Sequence, residues 1–178
     1  MNLNFQRYFT RGMNPGVYNA FQWEKTDVDI TDDAGKQLFT QKDVEFPKHW
    51  SQLARKIAAS KYFFGDQQKS QRENSIKQLI ERVAKTMALW GLKQKYFSTE
   101  EEANAFREEI AFLSLDQKMA FNSPVWFNVG THIYENPNRK IEQKEAYVVE
   151  DGKIIKIPLG KDREYTQTSA CFIQEVQD

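Results

Sequence analysis

Between residues 27 and 46 apolar and polar positions alternate along the chain. Val28 and Ile30 are interleaved with acidic residues, Asp32-Asp33-Ala34-Gly35 supplies turn chemistry, and Leu38 and Phe39 open a return segment. This pattern predicts a β-hairpin. The period then lengthens. Pro47 stands where a first helical turn tolerates proline, and Trp50, Leu53, Ala54, Ile57 and Ala58 recur at helical spacing. The helix is expected to run on through Tyr62-Phe63-Phe64 and to stop at Gly65. A second helix is predicted from a capping box at Ser70 and Glu73, with Ile76, Leu79, Ile80, Val83, Met87 and Trp90 as one apolar stripe and Gly91 at its end. A third opens at Ser98-Thr99-Glu100-Glu101-Glu102, whose carboxylates suit the positive end of the helix dipole. Ala103, Phe106, Ile110 and Leu113 form its buried face, and the pattern continues toward Met119. There Phe121-Asn122-Ser123-Pro124 breaks it, because Pro124 disfavours helical geometry at Ser123.

From Gly130 the character changes. Residues 135–145 are charged, contain a proline and are expected at the surface. Val148-Val149-Glu150-Asp151-Gly152-Lys153-Ile154-Ile155 reads as a second hairpin, since Asp-Gly suits a tight primed turn. Residues 168–176 are short, mixed and β-compatible, and predict a strand entering a larger sheet. Such a strand needs crossover units and neighbours that do not follow it here, so the architecture is expected to be completed outside this chain. The fold class predicted from the pattern is α+β and helix-rich, with β-hairpins.

Composition narrows the function classes. Lys plus Arg equals Asp plus Glu at 25 each, so the basic excess of a phosphate-binding module is absent and direct nucleic-acid binding is not expected. Thirteen Phe, seven Tyr and four Trp are enough to build a core beneath a highly charged surface. No apolar run has the length of a bilayer span, and the first residues lack the apolar centre of a signal peptide, which makes a cytoplasmic location the expectation. With one cysteine and two histidines there is no disulfide within the chain and no structural zinc site of the usual Cys/His kind. Any redox chemistry at Cys171 needs a partner from elsewhere.

Three segments are candidates for chemistry. In Phe121-Asn122-Ser123-Pro124-Val125-Trp126-Phe127-Asn128, Asn122 and Ser123 offer hydrogen bonds beside an aromatic wall, against the plainer reading of a packed helix terminus. In Gln167-Thr168-Ser169-Ala170-Cys171-Phe172-Ile173, small residues before the cysteine leave room for a ligand, although a lone cysteine is more often a small hydrophobe. Between Trp50 and Phe64, aromatics mix with Lys56 and Lys61. A helix core with lysines reaching out to water explains that segment better than a base-stacking surface.

A resemblance adds to this reading. Lys42-Asp43-Val44-Glu45-Phe46-Pro47, Trp50-Ser51-Gln52-Leu53-Ala54, Ala59-Ser60-Lys61-Tyr62-Phe63 and Arg72-Glu73-Asn74-Ser75 come first, followed by Trp90-Gly91 and Tyr96-Phe97. After them come Ala120-Phe121-Asn122-Ser123-Pro124-Val125-Trp126-Phe127-Asn128 and Ser169-Ala170-Cys171-Phe172-Ile173. Together and in this order, from about residue 20 to the end, they resemble the N-terminal portion of adenosylcobalamin (vitamin B12)-dependent class II ribonucleotide reductases.

The resemblance implies a helical domain over residues 1–120 and, over 121–178, the start of a ten-stranded α/β catalytic barrel carrying an inserted segment at about 135–163. It also implies the activity of a ribonucleoside-diphosphate reductase with adenosylcobalamin as cofactor and a thioredoxin-type reductant, although the residues themselves do not distinguish diphosphate from triphosphate substrates. Cys171 is then the first-strand member of a redox-active cysteine pair, and Ser123, Ala170 and Cys171 match positions that line the substrate site. The radical cysteine, the second redox cysteine and the shuttle cysteines of the family are expected beyond Asp178, in a remaining barrel portion that would be this chain's main partner. The complete enzyme is expected to bind its ribonucleotide substrate and to be able to form a homodimer. No residue of this chain is singled out as a cofactor or metal ligand. The competing reading is a non-catalytic helical interaction module derived from the same family.

Overall fold

The computed structural model describes residues 4–13, 16–66, 72–131 and 145–158. The first hairpin consists of β1 (Trp23–Thr31) and β2 (Gln37–Pro47), paired antiparallel from Trp23 opposite Pro47 to Thr31 opposite Gln37. Its turn forms as predicted: the Asp32 carboxylate accepts the N–H groups of Ala34 and Lys36, and Gly35 takes the left-handed conformation at φ 80°. The ladder is interrupted where Asp27 alone faces Lys42 and Asp43. Asp43 has φ 53°, and its N–H is held by the Asp27 carboxylate at 3.0 Å. A bulge of this kind increases the local twist. Val28, Val44, Phe46 and Pro47 are the fully buried residues of the hairpin.

Pro47 closes β2 opposite Trp23 and does not open a helix. The helix begins later, capped by the Ser51 hydroxyl, as α1 (Gln52–Ile57), and widens at once into a π turn at residues 58–62, closed by Phe63 N–H to Ala58 O. This corrects the expected apolar stripe. Leu53 is 68% and Ile57 44% exposed, whereas Ala58, Ala59 and Phe63 are buried. Arg55 sets the rotation of α1: it is buried and reaches the Lys48 carbonyl at 2.9 Å and the Glu24 carboxylate at 2.6 Å. Turning Arg55 toward the hairpin base turns Leu53 and Ile57 away. The wider π turn then shifts the helical phase, so that the next inward residues are alanines and Phe63.

The next two helices pack against each other. The first, α2 (Ile76–Lys93), has its capping box at Ser75 and Gln78, not at Ser70 and Glu73. The Ser75 hydroxyl accepts the Lys77 N–H and donates to Glu45 of β2, while Gln78 accepts the Ser75 N–H. Ser70 lies outside the described residues. Ile76, Leu79, Ile80 and Val83 are buried as the stripe predicts, and they meet Phe46, Phe63, Leu115 and Trp126 in the main core. Trp90, at the end of that stripe, is 38% exposed. Gly91 does not end the helix, which runs two residues further. The reversal is made by Lys95 at φ 62°, with Tyr96 N–H bonded to Gly91 O. What requires glycine at 91 is the Phe97 ring folding back onto it, where an added Cβ would stand 2.2 Å from a ring carbon.

The second of the pair, α3 (Glu100–Leu115), is capped by the Thr99 hydroxyl and stops at Leu115, short of the expected Met119. Its terminal carbonyl, Leu115 O, receives the Trp50 indole N–H at 2.7 Å and a His49 ring nitrogen at 3.1 Å. Ala103 and Ile110 are buried as expected, while Phe106 and Leu113 are half-buried. Glu109 is also buried, and it gathers the N-terminal segment. Its carboxylate accepts the N–H groups of Tyr8, Phe9 and Thr10 and the Thr10 hydroxyl, at 2.6–3.0 Å.

The described chain continues with a short helix, α4 (Ser123–Asn128), and a second hairpin of β3 (Glu145–Glu150) and β4 (Lys153–Pro158). Asp151 and Gly152 both have positive φ, which is the primed turn that Asp-Gly predicts. The described architecture is thus α+β, with helices and antiparallel hairpins. The charged stretch at 135–145, apart from its last residue, and the expected strand at 168–176 lie outside the described residues.

Two outcomes follow. Gly91→Ala ordinarily gains about 1 kcal/mol of helix propensity. Here the methyl overpacks against a ring wedged among Phe5 and Phe106, so a net loss of about 1–3 kcal/mol is expected in urea unfolding. The second concerns acid. Burial alone would raise the Glu109 carboxyl, but the Thr10 hydroxyl and the three backbone N–H groups outweigh it and hold the pKa below the usual carboxylate range. A lowered folded-state pKa stabilises the fold in full above the unfolded value, about 4.3, and that contribution is lost as pH falls through the lower value. Glu109→Gln should therefore flatten the acid limb of a stability–pH curve while lowering stability at neutral pH.

Candidate functional site

The segment 121–131 is short and carries a proline, and it is held from beneath. Asn122 has an extended backbone and precedes the helix, Ser123 is its first residue, and Pro124 occupies the first turn, where its missing N–H costs nothing. Ser123, expected outside helical geometry, is therefore the first residue of a new helix, and the extended residue is Asn122. The Asn128 side chain donates back to Pro124 O at 2.9 Å, and Trp126 turns into the core, edge-on to Phe121. Phe127 points the other way and is 45% exposed.

Arg82 of α2 fastens this segment. Its guanidinium donates to Val129 O at 2.6 Å and to Trp126 O at 3.1 Å, which secures the C-terminal end of α4. Its charge is met by Glu73 at 2.8 Å, and both side chains are fully buried. Glu73 also accepts the Phe64 N–H at 2.8 Å, so the same carboxylate holds the chain just after the π turn. Gly130 completes the fastening. Its φ is +76°, and a Cβ there would lie 2.5 Å from Arg82 O and 2.6 Å from Thr86 Oγ1. Backbone contact this close to α2 admits only glycine.

The two fastened segments meet at Ser123. The Tyr62 phenol, on the π turn, lies 3.0 Å from the Ser123 hydroxyl, and the Tyr62 ring stacks on Phe127 at 5.2 Å between centroids. Beside them a cavity of about 340 Å³ is walled by Trp50, Ile57, Tyr62, Leu79 and Trp126, with Ser114 and Gln117 among its polar lining. The Ser114 hydroxyl is buried without a hydrogen-bond partner. Among the described residues no group of three or more His, Cys, Asp or Glu side chains is placed to hold a metal ion. No described helix is long and apolar enough to cross a membrane.

Comparison with known proteins identifies the family. Residues 24–68 and 65–117 match the family model for class II vitamin B12-dependent ribonucleotide reductase. A vitamin B12-dependent ribonucleotide reductase of Rhodopirellula baltica is 41% identical over 182 residues, covering 99% of this chain. The chain belongs to this family. Another reductase of that name, from Streptomyces coelicolor, is 46% identical over 123 residues, and one from Agrobacterium fabrum is 29% identical over 214. The chain spans 17% of the Rhodopirellula relative and 12% of the Streptomyces one, and it matches the class II reductases as an N-terminal portion.

Of the site residues read from the sequence, Ser123 lies at the start of α4 beside Tyr62, and Asn122 is exposed next to it. Ala170 and Cys171 lie outside the described residues. Tyr62 and Glu73 stand in motifs quoted from the sequence, but without the roles they play here, and Arg82 stands in none. Glu73 was absorbed into a capping box that forms elsewhere. Arg82 was legible in principle, because it follows Leu79 by three residues on the face that buries Val83, a place where an arginine needs a buried partner.

Arg82→Met should cost about 3–5 kcal/mol in equilibrium unfolding, the usual penalty for leaving one member of a buried ion pair uncompensated. Replacing Glu73 by Leu in the same chain should recover part of that loss. Full recovery is not expected, because the Trp126 and Val129 carbonyls would still lack their donor.

Proposed function

We propose that this chain contributes one side of the nucleotide-reduction site of a class II ribonucleotide reductase, converting ribonucleotides to deoxyribonucleotides for DNA synthesis. The observation that carries the reading is agreement over 99% of the chain with a reductase 41% identical to it. On this reading, residues up to about 120 are the helical approach and 121–178 open a ten-stranded α/β barrel, with an insertion at about 135–163. The remaining barrel, which carries the radical cysteine and the second redox cysteine, is the chain's main partner. A thioredoxin-type reductant and a second copy of the complete enzyme are further partners, and the substrate is a ribonucleotide, with the diphosphate favoured.

The chemistry assigned to Cys171 is a two-electron reduction. Loss of the ribose 2′-hydroxyl as water needs a proton on the leaving oxygen and two electrons at the carbon. Cys171 and its partner cysteine supply both as they pass from two thiols to one disulfide. Ser123, together with the backbone around Ala170 and Cys171, holds the substrate beside that thiol. An external dithiol then returns the disulfide to thiols.

The relatives are named for vitamin B12, so adenosylcobalamin is the cofactor proposed for the complete enzyme. The cavity beside Tyr62 does not fit that group. A corrin fringed with amides needs a broad polar cleft, whereas the cavity beside Ser123 is of drug-molecule size and walled by Trp50, Ile57, Leu79 and Trp126. On this reading cobalamin binds elsewhere than in this cavity in the complete enzyme.

Cys171→Ser in the complete reductase tests the proposal. Serine preserves volume and a hydroxyl, so the fold should survive, but it cannot enter a disulfide. Turnover of ribonucleotide should fall to background. After one turnover without external reductant, alkylation and mass spectrometry should find Cys171 in a disulfide in the parent enzyme, with no such linkage in the variant. Near-normal turnover by Cys171→Ser would reduce the cysteine to a packing residue.

A further inference from the structure

We infer that Tyr62 is a positioning residue for Ser123, fixing the direction in which that hydroxyl offers its proton to the substrate. The inference rests on the proposed role of Ser123 as a substrate contact and names the group that prepares it.

The geometry consists of two oxygens and two rings. Tyr62 Oη stands 3.0 Å from Ser123 Oγ, and the two residues are 61 positions apart in sequence. A phenol is a stronger acid than an aliphatic alcohol, so Tyr62 is the better donor of the pair and Ser123 the better acceptor. With Tyr62 donating, the Ser123 oxygen is engaged and its own proton is directed elsewhere. Each hydrogen bond in such a chain polarises the next, which makes the serine a better donor to an anionic or ribose oxygen than a freely rotating hydroxyl.

Both residues are immobilised for this purpose. The Tyr62 ring lies on Phe127 with 20° between planes, and Phe63, the next residue, is buried against Phe46. Ser123 sits on a helix whose far end is bound to Arg82 through the Trp126 and Val129 carbonyls. The π turn is what brings Tyr62 here. It closes through Phe63 N–H to Ala58 O, and Tyr62 is its last residue. An α-helical continuation would rotate the phenol away from α4.

The test is a double-mutant cycle in the complete reductase, with Tyr62→Phe, Ser123→Ala and the pair, measuring kcat and KM for the ribonucleotide. Tyr62→Phe keeps the ring on Phe127 and removes only the hydroxyl, so thermal stability should change little. It should raise KM about 2- to 10-fold, the worth of one neutral hydrogen bond, with kcat nearly unchanged. Ser123→Ala should raise KM at least as much, and the double variant should match Ser123→Ala alone, because Tyr62 acts only through the serine. If Ser123→Ala weakens the enzyme while Tyr62→Phe does not, or if the two effects add, the positioning role is overturned and the substrate contact stands. If Ser123→Ala leaves KM unchanged, the substrate contact itself is wrong, and the inference falls with it. A fall in kcat at constant KM for Tyr62→Phe would also overturn it.

Discussion

The buried pair of Glu73 and Arg82 is the constraint around which the rest of this structure is arranged. Two full charges lie entirely out of water, at 2.8 Å from each other, and neither could stand there alone. Each spends its remaining capacity on main chain. Glu73 takes the Phe64 N–H, and Arg82 takes two carbonyls at the far end of α4. The Glu73 carbonyl in turn receives the Gln41 side chain from β2. Hairpin, π turn, long helix and short helix thus converge on one ion pair. A hydrophobic cluster of equal volume could fill the space, but it could not specify which carbonyls face inward. The cost of burying charge is offset by directional bonds that select one arrangement of four segments.

That arrangement explains how a tyrosine and a serine, remote in sequence, come to share a hydrogen bond. None of the three elements involved is long: α1 has six residues, the π turn five and α4 six. Helices this short have little stability of their own, and their placement depends on tertiary contacts. Arg55 pins the first against the hairpin base, and Arg82 pins the last against α2. With both ends tied, the hydroxyl-to-hydroxyl distance becomes a property of the scaffold and not of loop sampling. The exposed faces of Leu53, Ile57 and Phe127 remain on the outer side of the same region.

The elements legible in the sequence were those governed by local physics. Alternation found the first hairpin, Asp-Gly found the second, and the stripe from Ile76 to Val83 found the core face of α2. Thr99 and the acidic run after it found the start of α3. What escaped was set by side-chain partners that no local pattern names, some near in sequence and some far. Leu53 and Ile57 have a sound helical spacing but lie outward, because a buried arginine and a π turn decide the rotation of α1, and no periodicity encodes either. Gly91 looked like a helix stop and is a seat for Phe97. Glu73 fitted a capping box, whereas its real partner is nine residues on and buried. At the site, Ser123 and its aromatic neighbours were visible as a motif. Tyr62 stood in a separate motif, and its pairing with Ser123 did not show, since only the folded chain brings the π turn to α4.

Arg82 recognises α4 through two carbonyl oxygens, and a carbonyl is the same whatever residue bears it. The anchor is therefore indifferent to the side chains it secures, except at Gly130, where the backbone passes too close to α2 for any Cβ. The outward positions of the segment, Asn122, Ser123 and Phe127, can be exchanged without loosening the attachment beneath them. Mechanical support and chemical identity are thus carried by different atoms of the same short stretch. Variation on the outer face can accumulate on a fixed mount, and a different set of side chains in this part of the molecule would not require a new fold to hold it.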